Sequence, residues 1–202
     1  MAFLEPVTLT GELVTLEPLH ADHHAELVTA ASDGRLWELW YTSVPSPDAM
    51  RADIAAKLAG QAEGTRLPFT VRRNDTGVAV GMTTYLNVEA DVPRLEIGAT
   101  WTARSAQGTG VNAESKLLLL THAFEVLGCL AVEFRTHWHN LQSRTAIARL
   151  GAKQDGVLRQ HRRMPDGSLR DTVVFSILDS EWPAVRSGLR HRLARDPSSP
   201  RS

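Results

Sequence analysis

The chain has 202 residues, of which 43% are hydrophobic and 22% charged, and its formal net charge is −1. This length and composition fit one globular domain, and the balanced charge excludes a chain-wide basic field that would attract nucleic acid. A single cysteine, Cys129, excludes an internal disulfide framework and favours a cytoplasmic location, while the absence of a long apolar run or a signal-like N-terminus predicts no membrane association.

The first third of the chain predicts one strand and two helices. Hydrophobic alternation from Leu13 to Pro18 is typical of a strand, and residues 20–31 have the apolar spacing of a helix. His20 and His24 share one helical face, but no third ligand completes a metal site, so we expect no metal. Ser46-Pro47-Asp48 marks the start of the second helix, and an aromatic cluster over residues 36–41 precedes it.

The middle of the chain predicts a hairpin and then a strand, a glycine turn and a helix. Strands over residues 68–72 and 78–85 are joined by the turn 74–77. In the next strand, 94–102, an inward row alternates with polar residues; it consists of Leu95, Ile97, Ala99 and Trp101.

The turn 107–110 leads into the helix, and we expect Asn112 to be its N-cap. The helix should bury the stripe Leu117, Leu120, Phe124 and Leu127 and end at Gly128. Such a glycine turn at a helix N-terminus is a potential phosphate site. The motif lacks the Lys-Ser/Thr pair of a P-loop and the third glycine of a Rossmann dinucleotide site.

The last third predicts a strand over 131–136, a helix that ends near Gly151, and two final strands, 157–158 and 172–178. A short helix over about 180–193 follows, and from Arg186 the chain becomes rich in arginine. We expect one domain over residues 1–183 and a short helix with a flexible tail over 184–202.

These motifs, in this order, resemble the GNAT N-acetyltransferases, and especially the branch that includes the ribosomal-protein N-terminal acetyltransferases. Gln107 and Gly110 match the family signature Gln/Arg-x-x-Gly-x-Gly/Ala, and Asn112 departs from it at the last position. The similarity extends to Asn140-x-x-Ser143, to Leu150-Gly151-Ala152 and to Arg170-Asp171, and it covers about residues 8–183.

The resemblance implies an α/β fold with a mixed, mostly antiparallel central sheet flanked by helices. Its parallel strands 94–102 and 131–137 would splay apart and admit the pantetheine arm of acetyl-CoA or another short acyl-CoA. The residues that would bind this co-substrate are Trp101, Thr102, Gln107, Gly108, Thr109, Gly110, Val111, Asn112, Asn140, Ser143 and Arg144.

The reaction implied by the resemblance is direct acyl transfer to an amine, which a base must deprotonate first. Glu96 is the first candidate for this base, and His137 and His139 are the second candidates. Many family members place a Tyr seven residues after the helix-opening Asn, where this chain has Ile147, so Ser143 is the alternative proton donor. Trp37, Tyr41 and His137 are the candidate substrate contacts.

The favoured function is therefore an N-acyltransferase that moves an acetyl or succinyl group to a small amine or a protein N-terminus. An acyl-CoA sensor or interaction module without turnover is the alternative. A factor that binds nucleic acid through the arginine-rich tail is a weaker alternative, because such tails are commonly only solvated. A homodimer would fit the fold, although no sequence signal requires one.

Overall fold

The computed structural model describes residues 3–164 and 166–194. Eight strands are found in this part of the chain, and they form one sheet. In chain order the strands are β1 (Leu9–Thr10), β2 (Val14–Pro18), β3 (Leu67–Arg73), β4 (Ala79–Glu89), β5 (Arg94–Thr102), β6 (Ala131–His137), β7 (Lys153–Arg163) and β8 (Leu169–Leu178).

The described residues also form five α-helices, with short 3-10 segments between some of them. The helices are α1 (His24–Ser32), α2 (Met50–Ala62), α3 (Val111–Thr121), α4 (Leu141–Ala148) and α5 (Trp182–Ala194). Helix α3 continues into a π-helical turn over His122–Val126 before Gly128, which adopts a φ of 67°.

The sheet order is β1-β2-β3-β4-β5-β6-β8-β7. All neighbouring strands are antiparallel except β5 and β6, which are parallel. The crossover between these two strands is α3, as parallel neighbours require a long connection. The prediction of a mixed, mostly antiparallel sheet with one parallel pair and flanking helices is therefore confirmed.

One hydrophobic core joins the sheet to the helices. Helices α1 and α2 pack on β4 and β3, whereas α3 packs on α5 and on β2. Helix α5 buries Trp182, Val185 and Leu189 in this core. Its observed start and end lie close to the predicted helix over 180–193. The remainder of the arginine-rich tail, from residue 195, lies outside the described residues, and the proposed division at residue 183 stays a prediction.

The structure corrects three local predictions around β5 and α3. Gly110, not Asn112, is the N-cap of α3, and Asn112 lies in the first helical turn. Ala99 is exposed, because β5 contains a bulge that interrupts its alternation. The predicted apolar stripe of α3 is buried only in part: Leu120 is in the core, but Leu117 is half-buried and the buried face includes Lys116.

Strand β7 also runs from Lys153 to Arg163, well beyond the predicted residues 157–158, because pairing with β8 extends it through mostly exposed positions. None of the helices that the structure describes combines the length and apolar character needed to cross a membrane.

Candidate active site

A cleft opens where the two parallel strands separate. Strands β5 and β6 are in register only at Arg94, Leu95 and Glu96, which face residues 131–133. Beyond Glu96, β5 remains paired with β4 and β6 remains paired with β8. The facing edges of β5 and β6 therefore carry unpaired backbone groups that can accept an extended ligand. The cleft at this position has a volume of about 1000 Å³.

The wall that β5 contributes is shaped by a β-bulge. The register with β4 shifts between the pairs Met82–Trp101 and Thr84–Gly98, so Ala99 and Thr100 together face Thr83. Ala99 adopts a φ of 46°, a region that costs an alanine energy and commonly occurs at functional sites. Ala99 and Thr100, the two residues of the bulge, are exposed and line the cleft.

The glycine turn forms the end of the cleft beside α3. Gly108 and Gly110 have φ values of 79° and 90°, which a residue with a side chain would adopt only under strain. The first amides of a helix have no intrahelical acceptor, so the N-terminus of α3 can bind an anion. Gly108 and Asn112 line the cleft, whereas Val111 is buried in the core and the hydroxyl of Thr109 donates to the carbonyl of Ala106 at 2.7 Å.

Polar side chains connect this turn to the opposite wall. The amide Nε2 of Gln107 donates to the carbonyl of Thr102 at 3.0 Å, and its Oε1 accepts from Gln142 Nε2 at 3.2 Å. Asn140 is the N-cap of α4, where its Oδ1 accepts from the backbone N–H of Ser143 at 3.0 Å. Asn140 and Ser143 both line the cleft, as do Trp101 and Thr102.

Glu96 lies at the last point where β5 and β6 are paired. Its side chain lines the cleft, although the residue is only 7% exposed. Asn87 Nδ2 donates to Glu96 Oε2 at 2.7 Å, and Arg135 Nε lies 3.6 Å from the same oxygen. Burial raises the pKa of Glu96, and the nearby Arg135, Asn87, Arg162 and Arg170 oppose this shift only in part.

A second titratable group, His137, lies at the end of β6 in an aromatic cluster. Its Nδ1 accepts from the backbone N–H of His139 at 3.1 Å, so a neutral ring carries its proton on Nε2. Trp40 packs edge-on against His137 with 5.2 Å between ring centroids. Burial lowers the pKa of His137, and Arg170 and His139 lower it further.

The predicted aromatic contacts occupy different positions. Tyr41 lines the cleft, whereas Trp37 packs against the core and is not among the lining residues. Trp40, which belongs to the same aromatic cluster, is 55% exposed and contacts Tyr41, His137 and His139.

Arg144, a candidate for binding the co-substrate, lies outside the lining of the cleft. Its guanidinium stacks over the ring of Trp138 at 4.2 Å, and its Nη1 donates to the Trp138 carbonyl at 3.2 Å. These two contacts hold the side chain of Arg144 against Trp138 and not in the cleft.

Lys116, which no sequence motif marks, lines the cleft and is only 5% exposed. Its Nζ donates to the hydroxyls of Thr100 at 3.0 Å and Thr83 at 3.3 Å, and no carboxylate among the described residues forms an ion pair with it. Burial lowers its pKa to about 7. The sequence carries one indication of this residue: Lys116 occupies a position at which the apolar spacing of α3 would predict a hydrophobic side chain.

No cluster of three or more histidine, cysteine or carboxylate side chains that could hold a metal ion is found in the described part of the chain. The groups that line the cleft include a buried carboxylate, an imidazole and an amine.

Comparison with known proteins identifies this architecture. The family model described as "Acetyltransferase (GNAT) domain" matches residues 14–153. No curated protein matches the chain significantly.

Several solved structures are similar over nearly the whole chain. A GCN5-related N-acetyltransferase from Brucella melitensis is 30% identical, with a TM-score of 0.81 over 95% of this chain and 87% of that chain. A protein from T. thermophilus described as an acetyltransferase is 33% identical, with a TM-score of 0.82 over 94% of this chain and 98% of that chain.

RimJ from Mycobacterium smegmatis, solved in complex with CoA-disulfide, is 24% identical. Its TM-score is 0.78 over 93% of this chain and 95% of that chain, so it shares the fold.

Proposed function

The chain belongs to the GNAT acetyltransferase family, and from this premise we propose that it moves an acyl group, by preference acetyl, directly from acyl-CoA to a primary amine. The observation that carries this proposal is the gap between β5 and β6, which has the glycine turn at one end and the buried Glu96 at its origin. A reducing cytoplasm is the proposed location, in keeping with the free, buried thiol of Cys129.

The residues in the cleft fit a coenzyme A thioester. The unpaired edge of β5 at Trp101 and Thr102 offers backbone groups for the amides of the pantetheine arm. Trp101 Nε1 is buried without a hydrogen-bond partner in the described residues, which leaves one donor available at this wall. The N-terminus of α3 suits the diphosphate, and Asn140 keeps its amide nitrogen for a ligand while its oxygen caps α4. The co-substrate supplies an acyl group activated as a thioester.

We assign Glu96 as the base that deprotonates the acceptor. A primary amine is mostly protonated at pH 7 and must lose a proton before it can attack a carbonyl carbon. A carboxylate with an ordinary pKa is a weak base at this pH, but burial raises the pKa of Glu96. Asn87 and Arg135 hold the side chain at the point where the strands separate, so the base has a defined position.

Ser143 is the proposed donor to the leaving sulfur. The position at which many relatives carry a tyrosine is Ile147, which is buried and lines the cleft without a polar group. Ser143 lies one helical turn earlier on α4 and also lines the cleft. The missing hydroxyl at Ile147 is the feature that favours the second candidate function, an acyl-CoA sensor without turnover.

The function is tested by ligand binding followed by turnover. Because a ligand that binds only the folded protein stabilises it, acetyl-CoA at 100 times its Kd should add about 2.7 kcal/mol and raise the Tm measurably. We then expect release of free CoA with some members of an amine panel that includes peptides with free N-termini. Binding of acetyl-CoA without release by any amine would favour the sensor. A Tm unchanged by acetyl-CoA and succinyl-CoA would exclude both functions.

A further inference from the structure

A bulge in the hairpin of β7 and β8 places two arginines opposite each other. Leu158 is in register with Thr172, and the next registered pair is Arg162 with Arg170, so residues 159–161 face only Asp171. The carboxylate of Asp171 stabilises this bulge, since it accepts from Arg159 Nε at 2.6 Å and from the backbone N–H of Gln160 at 2.7 Å. Gln160 adopts a φ of 50° within the bulge.

The two arginines form an unfavourable pair in the protein alone. Like charges directly opposite each other on neighbouring strands are destabilising. Neither guanidinium makes a hydrogen bond or an ion pair with any residue that the structure describes, and Arg170 Nε is buried without a partner. Burial lowers the pKa of Arg170, and the charge of Arg162 lowers it further.

The nearby carboxylates compensate this charge only in part. Glu133 is already paired with Arg94 and Arg135, and Asp171 is paired with Arg159. Glu96 lies near enough for Arg162 and Arg170 to lower its pKa, but its contacts are with Asn87 and Arg135. Both arginines line the same cleft as Glu96. An anion at this end of the cleft would complete the charge balance.

We propose that Arg162 and Arg170 bind a carboxylate of the acceptor and so direct its amine toward Glu96, an inference that rests on the proposed function. Guanidinium groups bind carboxylates through paired, charge-assisted hydrogen bonds, which fix orientation as well as position. The acceptor class is therefore an amine with a carboxylate a few bonds away. A free amino acid has this chemistry, and so does a peptide with an acidic residue next to its N-terminus.

The arrangement of the sheet separates this pair from the proposed diphosphate site. The glycine turn and α3 follow β5, whereas Arg162 and Arg170 lie on β7 and β8, beyond β6 and thus across the gap. The arginine pair is consequently assigned to the acceptor and not to the phosphates of coenzyme A.

The test compares matched acceptors in steady-state kinetics with acetyl-CoA. One pair is an amino acid and its carboxamide, and a second pair is Ala-Glu-amide and Ala-Gln-amide. Because Arg170→Gln removes charge-assisted hydrogen bonds to the carboxylate, it should raise KM for the acidic member about tenfold or more. The KM for the neutral member should change less than about twofold, and Arg170→Lys should recover part of the loss. A larger change in KM for the amino acid and its carboxamide would indicate a free amino acid as acceptor. A larger change for Ala-Glu-amide and Ala-Gln-amide would indicate a peptide.

Two further variants secure the interpretation. Arg162→Gln alters an exposed residue and should reproduce the effect without a loss of folding, which the Tm checks. Arg163→Gln is the matched control, because Arg163 is on the same strand but donates to the carbonyl of Gly167 at 3.0 Å and does not line the cleft. It should leave both KM values unchanged.

Calorimetric titration of the acidic acceptors into the protein with CoA measures binding without turnover. Loss of this binding in Arg170→Gln would support the arginine site even if no amine released CoA, an outcome that would exclude only the proposed function. Equal KM effects on acidic and neutral acceptors, or none, would overturn the inference. So would a variant that loses affinity for succinyl-CoA and keeps its affinity for the acidic acceptors, since the pair would then serve the donor.

Discussion

Glu96 combines an energetically costly position with the proposed role of base. Burial raises its pKa, so the folded protein holds a proton on this group more tightly than the unfolded chain does. The stability associated with this group is greatest below the unfolded pKa of about 4.5 and is lost as pH rises through the folded value. At neutral pH the ionised carboxylate therefore destabilises the fold, as is common for catalytic groups.

We expect Glu96→Gln to separate activity from stability. Turnover should fall at least about tenfold, while the affinity for CoA stays near that of the wild type. In the wild type we expect kcat/KM to rise with pH through the pKa of Glu96, and this rise should be absent from the variant. The Tm of the variant at pH 7 should be higher than that of the wild type. The measurements are kcat/KM between about pH 5 and 9 and thermal unfolding.

Glu133→Gln is the matched control for this variant. Glu133 is the register partner of Glu96 and also pairs with Arg135, but it is not among the residues that line the cleft. The turnover of Glu133→Gln should remain within about threefold of that of the wild type. If Glu96→Gln retains wild-type turnover, Glu96 is not the base.

Lys116 gives a second prediction at the level of one residue. Its folded pKa of about 7 lies below the ordinary 10.5, so the folded protein binds fewer protons than the unfolded chain between these values. Stability should consequently rise with pH over this range. Lys116→Met should remove most of this slope and raise the free energy of unfolding at pH 7 by about 1 kcal/mol or more. Urea denaturation from pH 7 to about 10 measures both effects.

The exposed Lys153 serves as the control for Lys116. It is paired with Glu181, and this contact raises its pKa, so it titrates above the range tested. Lys153→Met should keep the wild-type slope. A Lys116→Met protein whose stability depends on pH as steeply as the wild type would show that Lys116 is charged throughout.

At the scale of an element, the turn before α3 predicts an effect on binding. Gly108 has a φ of 79°, and no atom lies within 4 Å of an added Cβ, so Gly108→Ala introduces strain without a clash. The turn should relax toward a negative φ and move its amides, which we expect to weaken CoA binding about tenfold. The measurement is calorimetric titration with CoA.

Gly77→Ala supplies a matched comparison. Gly77 has a φ of 69° in the hairpin between β3 and β4, and an added Cβ there is also free of contacts. Both substitutions should cost about 1 kcal/mol of stability, since the native φ at each position lies in the left-handed region, which alanine disfavours. Only Gly108→Ala should weaken the binding of CoA. Equal affinities in the two variants would remove the turn from the binding site.

At the scale of the whole molecule, Glu114 connects parts of the chain that are about one hundred residues apart. The carboxylate accepts from the backbone N–H groups of Glu12, Leu13 and Val14 at 2.9, 2.7 and 2.8 Å. It thereby holds the start of β2 against the first turn of α3, where a carboxylate also interacts favourably with the helix dipole.

Glu114→Ala should therefore destabilise the fold. It leaves one buried and two partly buried backbone donors without acceptors, and we expect a loss of about 3 kcal/mol in urea denaturation. Glu12→Ala is the control, because the exposed side chain of Glu12 makes no hydrogen bond among the described residues, and its stability should change by less than about 0.5 kcal/mol. Equal stability of the two variants would show that water replaces the carboxylate.

The sequence by itself determined the order of the strands from β2 onward, the glycine turn before α3 and the family-like arrangement of Gln107, Glu96 and Asn140, but it did not reveal β1. These features depend on periodicity and turn chemistry over a few neighbouring residues, which the chain displays directly. The same local reasoning misassigned Asn112 as a cap and Ala99 as an inward residue, because the turn and the bulge shift the pattern by one or two positions.

Only the tertiary structure decided the burial of Glu96 and Lys116, the attachment of Glu114 to β2, and the pairing of Arg162 with Arg170. The burial of Glu96 and Lys116 and the attachment of Glu114 depend on contacts between elements that are distant in sequence. The pairing of Arg162 with Arg170 depends on a bulge that shifts the register of the hairpin. Desolvation and charge interactions act through space. The pKa values of Glu96 and Lys116, and the lack of ion-pair partners for Arg162 and Arg170 among the described residues, therefore follow from packing and not from spacing along the chain.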